Sequence, residues 1–73
     1  MQMLYCGLTD FSTVVRNDPQ ITIYGDESNS IIRKSFIENL AKCLNSLSVI
    51  ELKEITVIED YALSNLQVSK FKL

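Results

Sequence analysis

Histidine is missing from all 73 residues of this sequence. Its absence takes away the side chain most used for proton transfer near neutral pH and for metal ligation. Thiols are nearly as scarce, with only Cys6 and Cys43. Without histidine or an oligomer that pair cannot complete a tetrahedral zinc site, and neither cysteine has the usual base that would make it a nucleophile. No catalytic residue, cofactor or metal ligand set is therefore expected. Apolar runs are short as well, the longest spanning residues 3–8, against the ~18 residues a membrane span requires. A membrane partner is not expected either.

Positive charge is thin and dispersed: Arg16, Arg33, Lys34, Lys42, Lys53, Lys70 and Lys72 stand against nine acids, for a net charge of −2. Binding a phosphate backbone relies on clustered cations, so nucleic acid is not an expected partner. Residues 1–27 carry Asp10, Asp18, Asp26 and Glu27 against Arg16 alone, which makes that part modestly anionic. The opening residues Met1-Gln2-Met3-Leu4-Tyr5-Cys6 contain no basic segment ahead of an apolar one, and with two cysteines this points to a reducing, cytoplasmic location. What is present is ordinary globular material, 47% hydrophobic and 22% charged, enough apolar surface to fold. A chain this short reads as one domain, 1–73, whose core supplies roughly 3–5 kcal/mol; a partner or a homodimer would add to that margin.

The clearest element is an amphipathic helix over about 28–47. Ile32, Phe36, Ile37, Leu40, Cys43, Leu44 and Leu47 recur at three- and four-residue spacing, with Lys34, Glu38, Lys42 and Asn45 opposite. Asp26, Ser28 and Ser30 offer N-caps. Ile31 on the polar side and Arg33 in the apolar arc depart from the pattern, at positions where a partner or a strand end can meet them. Ahead of the helix, residues 1–8, 12–16 and 21–24 are rich in strand formers, and Asn17-Asp18-Pro19-Gln20 has the chemistry of a hairpin turn. Gly25 then allows a sharp turn. After the helix, residues 49–59 alternate, but the apolar parity slips between Ile50/Leu52 and Ile55/Val57, which asks for a bulge or a break near Lys53-Glu54. Residues 59–65 read as a polar turn and 66–73 as a last strand, whose Lys70 and Lys72 would protect a sheet edge. No internal repeat is visible. The order predicts an α+β fold: one helix on a mostly antiparallel sheet of four to five short strands.

Few constellations suggest chemistry. Glu51-x-Lys53 resembles the second half of the PD-(D/E)xK nuclease signature, which implies an acid and a lysine beside a metal. That family also needs an upstream aspartate on a neighbouring strand, and here Asp26 is separated from Glu51 by the helix. Tyr5-Cys6-Gly7 followed by Arg16 resembles the start of a GIY-YIG nuclease, but half the motif is missing. Cys6, alternating with Leu4 and Leu8, and Cys43, within the apolar arc, read as small buried hydrophobes. Gly25-Asp26-Glu27-Ser28 at a helix start would cradle a phosphate only if its two carboxylates did not repel it.

By elimination the sequence points to a small non-enzymatic protein that binds another protein as an adaptor, subunit or inhibitor. Inhibitors encoded by phages and mobile elements have this size and this lack of chemistry. The candidate contact residues are Glu59, Asp60, Tyr61 and Leu63 in the late turn, where a tyrosine is rimmed by acids, together with Asp10, Asp18 and Asp26 in the acidic loops. A free sheet edge would serve for strand addition or dimer formation. The alternative is a regulatory module that binds a small ligand or anion, with its site formed across a homodimer.

Overall fold

Three apolar-x-apolar triplets organise the chain: Leu4-Tyr5-Cys6, Ile21-Thr22-Ile23 and Ile50-Glu51-Leu52. In each, the first and third side chains are buried in one core, as the two-residue period of a strand requires. The structure, a computed structural model, describes residues 1–64, 66, 68 and 70–72. Its elements are β1 (Gln2–Tyr5), β2 (Gln20–Tyr24), β3 (Ile31–Ile32), α1 (Lys34–Cys43), β4 (Val49–Lys53), β5 (Val57–Ile58) and β6 (Lys70–Lys72).

The sheet is parallel throughout, not antiparallel. One four-stranded sheet runs β1-β2-β4-β6, and a two-stranded sheet pairs β3 with β5. The helix and the mixed α and β content stand; the strand direction does not. Connection length explains the difference, because parallel neighbours need a crossover of a dozen or more residues and a hairpin does not. The links 6–19, 25–48 and 54–69 all have that length. No strand forms over 12–16, which the hairpin reading required. The Gln2 side chain takes both backbone groups of Val15 instead, donating to its C=O at 2.8 Å and accepting from its N–H at 2.9 Å. Asp18 folds its carboxylate over the turn, accepting the Gln20 N–H at 3.0 Å just where β2 starts.

The helix is shorter than its apolar periodicity suggests, covering Lys34–Cys43 rather than 28–47. Ile31 and Ile32 leave the helical pattern because they form β3 against Val57 and Ile58. Asp26, Ser28 and Ser30 therefore cap no helix. At the other end Leu44 is extended, and Leu47 reaches the core from irregular chain. Phe36, Ile37 and Leu40 form the buried face of α1.

The slip in parity after Leu52 is resolved by a break. Glu54 adopts φ 56°, and the chain passes from the large sheet to the small one. Gly25 lies beside this junction and has no positive φ. A Cβ on it would stand 2.6 Å from the Glu54 carbonyl oxygen and 2.8 Å from Ser30 Cα, so close approach of backbones, rather than a sharp turn, demands glycine there. The expected last strand is present as Lys70–Lys72 at the sheet edge; Asn65, Gln67, Ser69 and Leu73 of the expected turn and strand lie outside the described residues.

Each strand of the large sheet thus pairs with the next one along the chain, separated by one turn of winding. In register, Leu4 stands beside Ile23, Ile23 beside Leu52, and Ile50 beside Phe71, steps of 19, 29 and 21 residues. This is a short stack of coils, each one strand plus a return, of the size that builds solenoids. The repetition is of winding and inward pairs, not of sequence.

Candidate functional site

Alternation fixes what lies on the other side of the sheet. Gln2, Leu4, Ile21, Ile23, Ile50, Leu52 and Phe71 take the inward positions, so Met3, Tyr5, Thr22, Tyr24, Glu51, Lys53, Lys70 and Lys72 face out. Parallel sheets ordinarily have both faces covered. Here α1, β3 and the connections supply the inner core; on the outer face Thr22, at the middle of β2, is itself buried, with Met1 Sδ and Glu51 Oε1 each 3.3 Å from its hydroxyl, and the positions around it are exposed or half-buried. Met3 is 58% exposed and Tyr24 37%, while Lys53, Lys70 and Lys72 are exposed too.

This face is chemically graded. On the β1–β2 side Tyr5 and Tyr24 meet with ring centroids 5.7 Å apart, tilted by 41°, within the separation at which aromatic pairs interact. The Tyr5 hydroxyl donates to Asp26 Oδ1 at 3.2 Å, which fixes the ring. On the β4–β6 side three lysines surround one acid, Glu51. Its Oε1 lies 4.0 Å from Lys53 Nζ and accepts the Thr22 hydroxyl at 3.3 Å. Lys72 stands beside Glu51 in register and Lys70 beside Val49. A chain of net charge −2 therefore presents a cationic stripe next to an aromatic pair.

The contact residues expected from the sequence are dispersed. Glu59, Asp60, Tyr61 and Leu63 do share the turn after β5. Tyr61 is 78% exposed with φ 61°, whereas Leu63 packs against the core. Glu59 is engaged inside the fold: Oε1 accepts the Lys34 N–H at 3.0 Å and Oε2 lies 3.7 Å from Arg33 Nη1. It thereby caps a helix whose own N-cap residue, Arg33, makes no side-chain cap. The three aspartates each close a local turn. Asp10 accepts the Ser12 N–H at 3.0 Å. Asp18 adds to its turn bond an ion pair with the Met1 amine at 3.3 Å. Asp26 Oδ1 accepts the Ser28 hydroxyl and N–H and the Asn29 N–H at 2.8–2.9 Å. These hydrogen bonds hold all three carboxyls below the usual range: for Asp26 the Ser28 hydroxyl contributes most, for Asp10 the Ser12 N–H and for Asp18 the Gln20 N–H. Asp18 precedes the amino end of β2 and Asp26 follows its carboxyl end, so they do not make one patch.

Cys6 is buried, donates to the Asn29 C=O at 3.3 Å, and has its thiol pKa pushed up by burial. Cys43 is half-buried in the core. No three His, Cys, Asp or Glu side chains gather as metal ligands among the described residues, and no described helix is long and apolar enough to cross a membrane. An open hollow of about 340 Å³ lies between the β1–β2 connection and the helix start, lined by Cys6, Thr9, Phe11, Asn29, Arg33 and Asn39.

That these outward residues share one face could not be read from the sequence, because it depends on which strands are neighbours. A signal was present: Tyr5, Tyr24 and Lys53 each follow an inward apolar residue at the same place in its coil. Compared with protein-family profiles, curated proteins and solved structures, the chain has no match.

Proposed function

We propose that this chain is a non-enzymatic binding module that takes another protein on the outer face of its parallel sheet. The observation that carries the reading is the set of exposed and half-buried side chains around Thr22 on the outer face, Tyr5, Tyr24 and Met3 grading into Lys53, Lys70 and Lys72. Stacked coils commonly use such a sheet as an extended contact surface. Tyrosines supply rigid anchors and the lysines select an acidic neighbour, so the partner contributes an acidic segment with an apolar anchor. An adaptor, a subunit and an inhibitor all fit this mode, and the work is done where other proteins of the cytoplasm are available. The late turn around Tyr61 forms a second, smaller contact at the end of β5.

A photo-crosslinking amino acid placed at Lys53, and separately at exposed Lys42 on the helix, tests the site. Adducts in cell extract that form from position 53, disappear with Tyr24→Ala/Lys70→Glu and do not form from position 42 support the sheet face. Equal labelling from both positions sinks it.

A small-ligand module remains a second reading because the hollow beside the helix start mixes apolar and polar walls. Its cationic group, Arg33, and the helix amide of Lys34 are already engaged by Glu59, which weakens it as an anion site. A metabolite that raises the melting temperature in a thermal-shift screen would favour this reading.

A further inference from the structure

The large sheet has two outer strands, and they differ in chemistry. β6, Lys70-Phe71-Lys72, carries a lysine at each end, the usual protection of an edge against pairing. β1, Gln2-Met3-Leu4-Tyr5, has no charged side chain and no proline, and no strand pairs with its outer side among the described residues. The Cys6 N–H donates to the Tyr24 C=O, so the even positions of this strand address β2 and the backbone groups of Met3 address the open side. Exposed apolar groups gather around the same edge. Met3 is 58% exposed and Val15 55%, and Val15 is tied to β1 through Gln2; Met1 turns the other way, its Sδ 3.3 Å from the Thr22 hydroxyl of β2. The one ionic group of the strand's start, the Met1 amine, is neutralised by Asp18.

We propose that β1 pairs antiparallel with β1 of a second copy, forming a two-fold dimer with one continuous sheet of eight strands. Charge selects this arrangement over the other two. Pairing β6 with β6 would set lysine against lysine. Pairing β1 with β6 would leave a spare edge on every copy and grow without closing. Pairing β1 with itself joins uncharged surfaces, covers the apolar groups at the edge and closes at two. A two-fold axis normal to the sheet keeps the outer faces of both copies on one side. The dimer thus joins both tyrosine pairs near its centre and leaves a lysine stripe at each end. The surface is an edge, distinct from the face proposed for the partner.

Analytical ultracentrifugation of the full chain, from micromolar to near-millimolar concentration at low and high salt, reads this directly. The expected result is a monomer–dimer equilibrium that stops at two and barely moves with salt. Met3→Lys, which places two like charges across the axis, should weaken it by at least about tenfold with an unchanged circular dichroism spectrum, while Lys72→Met should leave the dimer affinity unchanged. Hydrogen exchange on the wild type keeps the test independent of variant folding: the Met3 amide should gain protection with concentration. A chain that stays monomeric, assembly that continues past the dimer, or a dimer whose Met3 amide stays unprotected would each overturn the proposal. Met3 protection appearing only on addition of a different protein would assign the edge to that protein instead.

Discussion

At the residue scale, the three aspartates show how a charge can serve the fold rather than a partner. Asp26 gathers hydrogen bonds from Ser28, Asn29 and Tyr5 on one carboxylate oxygen, which ties the loop after β2 to the tyrosine on the sheet face. Asp10 and Asp18 do the same for shorter turns. All three carboxyls are held below the ordinary carboxylate range when folded. As pH falls, the unfolded chain takes up their protons first. The stabilisation is therefore complete above the unfolded pKa and is lost as pH falls through the lower folded values. The melting temperature should be flat down to about pH 5 and then decline. Asp26→Asn keeps an acceptor oxygen but no charge, and should make that decline shallower. An unchanged slope would mean that the Asp26 carboxylate does not contribute to it.

At the element scale, α1 begins where it does because of a residue 25 positions further along the chain. Arg33 at its N-cap offers no acceptor, and the first turn holds no acid; Glu59, delivered by the pairing of β5 with β3, fills both roles. Glu59→Ala should lower stability by about 1 kcal/mol, a typical cost of losing a cap. Glu59→Gln, which keeps the acceptor and gives up only an exposed ion pair, should cost less. Urea unfolding midpoints distinguish them, and equal losses would refute the cap. The same element shows what the sequence could and could not reveal. Periodicity located the buried face, Phe36, Ile37 and Leu40, because burial writes a 3.6-residue repeat into the chain. It overran both ends because Ile32 and Leu47 are buried from non-helical backbone, and hydrophobicity alone does not distinguish the two.

At the scale of the whole molecule, the winding decides both how the chain folds and which surface it offers. Every pairing in the large sheet joins strands 19 to 29 residues apart, so loop closure precedes any ladder bond. Such non-local topologies fold in milliseconds to seconds. Stopped-flow refolding followed by tyrosine fluorescence should fall in that range, and microsecond refolding would contradict the parallel order. The winding also sets Tyr5 against Tyr24 and brings Lys53, Lys70 and Lys72 onto one face. None of these residues belongs to the late turn or the acidic loops that the sequence put forward as contacts.

By itself the sequence determined composition and its consequences: no histidine chemistry, a small net negative charge, one amphipathic helix among strand-forming segments, two cysteines of core character and an edge strand bearing lysines. These are properties of residue types and of local spacing, which persist whatever the neighbours are. Strand direction, the split of residues 49–58 between two sheets, the distant cap at Glu59 and the membership of the outer face were decided only by tertiary structure. Each depends on which distant segments share a hydrogen-bond ladder, and a two-residue period reads the same in a parallel sheet as in an antiparallel one.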